Sequence, residues 1–181
     1  MPDDQPNSEV ARPFPWLGWL LMFAFVALLA NILALPRTPL DERAGLRAWH
    51  DSLGFIVCLL AAWRLYRLRR EPRPVPAGRL PVDALAFHRA ILGMLLLTFV
   101  VEGGVGLLYA WGEFHREVVL FGWPLPALLP DDDGTRKAFG YLHSALGFYY
   151  VFLLALWLGV GLYQQLRYRS GLRYLLPGRP V

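Results

Sequence analysis

The chain has 181 residues, of which 56% are hydrophobic, 14% aromatic and 18% charged, more apolar side chain than one small water-soluble core can bury. Its formal charge of +4 raises nucleic acid as a partner, but the arginines stand beside apolar segments rather than among polar, aromatic-studded stretches, so topology in a lipid bilayer explains them and nucleic acid is excluded. The single cysteine, Cys58, rules out an internal disulfide and supplies no thiolate cluster for zinc or iron–sulfur.

Residues 1–12 are polar and mildly acidic, and the apolar run after them lacks a small-residue cleavage motif, so that run is expected to stay in the membrane. Residues 16–35 carry no charge, enough for a helix of about 30 Å at 1.5 Å per residue. The second predicted helix, 46–68, is less obvious. Its uncharged stretch, 52–63, is too short to cross, and 46–51 and 64–68 complete the span with arginine stems that snorkel. A third helix is predicted over 84–111, interrupted only by His88, Arg89 and Glu102, and a fourth over 139–168, with His143 near its start. The predicted fold is all-α: one four-helix transmembrane domain, with a connection at 69–83 and a second loop at 112–138.

Basic residues orient the helices. Arg64, Arg67, Arg69, Arg70, Arg73 and Arg79 surround the connection between helices two and three, and Arg167, Arg169, Arg173 and Arg179 close the chain. With Arg12 and Arg89 this side holds twelve of the eighteen basic residues and is predicted to be cytoplasmic, with both termini. The other six, Arg37, Arg43, Arg47, Arg116, Arg136 and Lys137, fall on the opposite side. Pro72, Pro74 and Pro76 predict an extended cytoplasmic loop; Pro124, Pro126, Pro130 and Asp131 to Asp133 predict an ordered excursion on the outer side, placed to cap a site.

One pattern occurs twice. His50-Asp51-Ser52-Leu53-Gly54-Phe55 and His143-Ser144-Ala145-Leu146-Gly147-Phe148 share His-x-x-x-Gly-Phe at the starts of helices two and four. These helices run in the same direction, so both imidazoles are expected at one depth, each with a glycine one turn deeper on the same face. The missing side chains of Gly54 and Gly147 leave room for a flat macrocycle, and two imidazoles facing each other are what bis-histidine haem ligation needs. The bland alternative is a histidine at the end of each membrane helix, which the matched pair disfavours.

With these motifs the chain resembles the prokaryotic cytochrome b561 family over nearly its whole length. His50, Gly54, Arg64 fourteen residues on and the arginine-rich run into Pro72 look like the family pattern, and helix four with the closing Gly171-Leu172-Arg173-Tyr174-Leu175-Leu176-Pro177 is similar to its C-terminal end. The resemblance implies four helices, b-type haem and a link to quinone, with one haem near each membrane face in typical members and His50 and His143 matching the non-cytoplasmic pair. The ligands of the other haem would fall at the start of helix one and fourteen residues beyond His143, where this chain has Trp16 and Trp157. An indole N–H has no lone pair to give iron, so a single haem b is expected, with the tryptophans helping to fill the other volume. Fourteen residues correspond to about 21 Å of helix, which confines redox chemistry to the outer leaflet.

Other residues are weighed beside this pair. His88 with Met22 or Met94 offers a replacement second site, against the plainer reading of an interfacial histidine. Glu102, an acid in an apolar helix followed by Gly103, Gly104 and Gly106, is a candidate proton or quinone site or hydrogen-bond partner, against a packing role bonded to Asn31 or a backbone group. Cys58 reads as core and His115 as surface. Arg47, one turn before His50, is the best placed of the outer basic residues to reach a haem propionate. The expected function is electron transfer in a bacterial inner membrane between quinone, ubiquinone included, and a small molecule, superoxide among those the resemblance suggests, or a periplasmic redox protein. The alternative is an accessory subunit, with or without haem, of a larger respiratory or photosynthetic membrane complex.

Overall fold

The computed structural model describes residues 15–70, 80–113, 117–126, 128–129 and 132–169. Helix α1 (Pro15–Ala34) is followed by two 3-10 turns (Leu35–Arg37 and Leu40–Glu42), α2 (Arg43–Arg70), α3 (Val82–Trp111), strands β1 (Val118–Leu120) and β2 (Trp123–Leu125), and α4 (Asp133–Tyr168). Outside the described residues lie Arg12, Arg73, Arg79, Arg173 and Arg179, the prolines Pro72, Pro74 and Pro76, His115 and Arg116, Pro130 and Asp131, and the closing stretch 171–177.

The fold is an all-α four-helix bundle in which helices adjacent in sequence pack side by side: α1 on α2, α2 on α3 and α3 on α4. Three of the four, α1, α3 and α4, are long and apolar enough to cross a membrane. Helix α2 has 28 residues, about 42 Å at 1.5 Å per residue, but Asp51 and Arg64 bound its apolar stretch. At the far end Arg67 lies over Trp63 and Arg70 over Tyr66, their guanidinium carbons 5.9 and 5.4 Å from the ring centroids, the posture of arginines snorkelling from an apolar segment.

Two helix ends are closed by local side-chain bonds. The last carbonyls of α1 are met by the Arg37 guanidinium on Leu33 and by Thr38 Oγ1 on Ala34 at 3.1 Å. Helix α4 begins at Asp133 rather than at 139, because the Asp132 carboxylate accepts the Thr135 amide at 2.6 Å and makes an N-cap of residues that read as polar loop.

Apolar solvent removes the hydrophobic drive for helices to associate, and close van der Waals packing replaces it. Midway along the bundle Phe25 of α1, Phe99 of α3 and Tyr150 of α4 form an aromatic knot, with centroid separations of 5.5, 5.3 and 4.5 Å, over Leu95 and Leu153. Beside it Ala61, Leu68 and Leu96 pack with Leu21 and Leu65. Gly103 lets α3 approach α2 so nearly that a β-carbon there would lie 2.6 Å from Cβ of Cys58.

The excursion after α3 contains an antiparallel hairpin, with Leu120 opposite Trp123 across a turn at Phe121 and Gly122. It docks on α2: Val118 is buried, and the Phe121 amide donates to Ser52 Oγ at 2.9 Å while Ser52 donates to the Ala48 carbonyl at 2.8 Å.

Candidate functional site

The hairpin lies beside the pair of histidines. His50, in the second turn of α2, and His143, in the third turn of α4, are partly buried, with ring centroids 6.2 Å apart and planes at 90°. Both Nδ1 atoms are buried. The two elements of the repeated motif are thus brought face to face, as two parallel helices starting at one end of a bundle require. A β-carbon at Gly54 would meet nothing within 4 Å, and one at Gly147 would meet Glu102 Oε1 at 3.6 Å.

Helix α3 supplies the wall behind His143. Glu102, Gly106 and Tyr109 follow the i, i+4, i+7 spacing of one helical face, and all three touch that ring. Glu102 Oε1 lies 3.1 Å from Nδ1, close in distance but oblique to the ring N–H. A β-carbon at Gly106 would stand 2.9 Å from Cε1, and Tyr109 stacks with its centroid 6.0 Å away and its plane tilted by 26°. Tyr109 in turn rests on Gly140, where a β-carbon would come within 3.0 Å of its ring. Sequence reasoning found Glu102 but overlooked Tyr109, whose signal was that spacing. Asn31 is not the partner of Glu102: its amide donates to the Leu46 carbonyl at 2.9 Å, joining the end of α1 to the start of α2.

Arg47 forms an ion pair with Glu113, just past the end of α3, at 3.0 Å. The other described outer basic residues are engaged locally, Arg43 on the Thr38 carbonyl at 2.7 Å and Arg136 and Lys137 on the Asp133 carboxylate at 2.6 Å each.

At the opposite end, His88 is fully buried, with Nδ1 3.3 Å from Gln164 Oε1, and Gln164 donates to the Ala84 carbonyl at 2.9 Å. Trp157 stands edge-on to His88 with centroids 5.6 Å apart and its indole nitrogen buried. Trp16, by contrast, is 57% exposed on the first turn of α1, so it fills no interior volume. Met94 is also exposed, six residues and a different helical face from His88, and the structure does not bring the two together. Cys58 is half-buried against Gly103, its thiol on the Val100 carbonyl at 3.6 Å.

Among the described residues no group of three or more His, Cys, Asp and Glu is arranged to hold a bare metal ion. Two facing imidazoles suit a centre that brings its own equatorial nitrogens, as haem does. The family model of prokaryotic cytochrome b561 matches residues 12–178. The chain belongs to the prokaryotic cytochrome b561 family. It is accordingly a membrane protein of b-type haem electron transfer, and the bundle, the two histidines and the family match concern one and the same stretch of chain. A search of curated proteins finds no match.

Proposed function

We propose that this cytochrome b561 family member holds one haem b between His50 and His143, at the non-cytoplasmic face of a bacterial inner membrane. There it exchanges electrons between quinone, ubiquinone being the expected one, and a small molecule or a periplasmic redox partner. The observation that carries the reading is the spacing of the imidazoles. Their centroids stand 6.2 Å apart with both Nδ1 atoms buried, a separation at which the two side chains would hold one haem between them.

Haem, when bound, supplies one-electron chemistry, and the protein supplies its setting. His50 and His143 would hold it through their imidazoles. Gly54 leaves the face of α2 bare one turn deeper, and Gly106 admits the His143 ring against α3. The hairpin, tied to α2 through Ser52, covers the same end of the bundle and limits water. Arg47 has further N–H donors beyond the one on Glu113, and these favour an anionic group at the rim. Quinone is proposed on the family resemblance. The single haem is proposed because Trp157, not a ligating side chain, packs on His88 in the other half of the bundle.

The test is a pyridine haemochrome assay on the purified full chain, with variants. One haem b per chain, lost on substituting His50 or His143 and kept on substituting Trp16 or Trp157, is expected. Two haems, or equal loss from all four substitutions, overturns the single-site assignment. Reoxidation of the reduced chain by a soluble ubiquinone analogue supports the quinone link, whereas a haem-free chain copurifying at fixed stoichiometry with a larger complex supports the accessory-subunit alternative.

A further inference from the structure

Glu102 is an acid on a membrane helix, and burial of a carboxyl group in such a place is costly unless it is bonded. Its Oε1 is 3.1 Å from Nδ1 of His143, a ring half-enclosed by Gly106 and Tyr109 of the same helical face. An axial histidine binds iron through one nitrogen and keeps a hydrogen on the other, and the group that accepts that hydrogen selects the tautomer and the ring's rotation.

We propose that Glu102 is a positioning residue for the axial ligand His143: its carboxyl oxygen accepts the Nδ1–H, presents Nε2 to the iron and lowers the haem's reduction potential. The inference rests on the bis-histidine reading above. A hydrogen bond that draws the Nδ1 proton away makes the imidazole a more basic ligand, and a more basic ligand favours ferric over ferrous iron. Gly106 and Tyr109 hold the ring against the face of α3 from which Glu102, one turn away, reaches Nδ1.

The test compares the full chain in detergent with Glu102→Gln and Glu102→Leu by haem content, redox titration and electron paramagnetic resonance of the ferric state. All three are expected to carry one low-spin haem. Glu102→Leu is expected to raise the ferrous-to-ferric ratio at the wild-type midpoint about tenfold, a shift of about 59 mV for a one-electron couple, with changed ferric g-values. Glu102→Gln, which keeps a neutral acceptor, shifts less in the same direction. A Glu102→Leu protein that retains its haem at the wild-type midpoint and g-values overturns the proposal, since a purely structural residue costs stability without moving either. If the variants lose haem, the wild-type holoprotein decides: in the reduced, diamagnetic state the His143 ring N–H is expected to exchange slowly and resonate as a carboxyl-bonded proton, and rapid exchange overturns the proposal. Failure of the underlying reading is distinguishable, because then the wild type itself lacks haem or His143→Ala keeps a low-spin one.

Discussion

Gly106 on α3 stands so close to the ring of His143 on α4 that a β-carbon at that position would lie 2.9 Å from Cε1 and 3.2 Å from Nδ1. His143 has Tyr109 stacked on it and cannot retreat without disturbing that contact. Gly106→Ala is therefore expected to push the imidazole off the line to His50 at a cost of about 1–3 kcal/mol, typical of overpacking. Haem titration of the haem-depleted chain measures it, with Gly104→Ala, whose β-carbon would meet nothing within 4 Å, as the comparison. Equal haem affinity in the two variants sinks the idea that Gly106 shapes the site.

A different glycine holds a different interface. A β-carbon at Gly103 would come 2.6 Å from Cβ and 2.8 Å from Sγ of Cys58, so Gly103→Ala forces α2 and α3 apart rather than displacing a flexible side-chain tip. Thermal unfolding in detergent is expected to show a loss of about 1–3 kcal/mol, suppressed when Cys58→Gly is added. No suppression in the double variant would show that the strain lies elsewhere.

These glycines also show how far the sequence could be read. The repeated His-x-x-x-Gly-Phe pattern puts two imidazoles at one depth, because helix period and helix direction are fixed by backbone geometry, and the two rings stand 6.2 Å apart with their planes perpendicular. That Gly103 faces α2 while Gly106 faces α4 follows only from the rotation of α3, which packing decides and composition does not. Glu102 was visible as an acid in an apolar run, but its neighbour was ambiguous until α3 lay between α2 and α4, with Asn31 committed to Leu46 and His143 within reach. The start of α4 was misplaced because Asp132 and Asp133 read as loop residues, and the cap that makes them a helix start is a three-residue contact. The hairpin left no signal beyond turn-forming prolines, since its strands are three residues each and Phe121 is a poor turn former.

Acid sensitivity is expected at the start of α4. The Thr135 backbone amide, the largest influence, holds the Asp132 carboxyl below the ordinary aspartate range. A depressed folded-state value contributes stability that is present above the unfolded-state value and lost as pH falls through the folded one. Unfolding of the wild type should therefore become easier through the acid range below the usual aspartate value. Asp132→Asn keeps a capping oxygen without a titrating group and should flatten that part of the profile. Circular-dichroism melts at a series of acid pH values read this directly, and identical slopes for the two proteins would remove Asp132 from the account.

The hairpin turn carries strain that a substitution should release. Phe121 has φ 53° and Gly122 φ 85°, so both central residues of the two-residue turn between Leu120 and Trp123 lie in left-handed backbone. Asparagine followed by glycine is the usual solution for such a turn, and a bulky L-residue in the first position costs about 1–2 kcal/mol. The Phe121 side chain is 53% exposed and recovers little of this by burial, while its amide, which donates to Ser52, belongs to the backbone and survives substitution. Phe121→Asn is therefore expected to stabilise the hairpin against local opening by about 1 kcal/mol, slowing amide exchange in Val118–Leu120 and at Trp123 and Leu125 about fivefold. Hydrogen exchange of the detergent-solubilised chain measures it, with Ser52→Ala as the opposite perturbation. Exchange that is unchanged or faster in Phe121→Asn would mean that the aromatic ring anchors the hairpin more strongly than the backbone opposes it, which is the outcome for a ring held by the lipid interface.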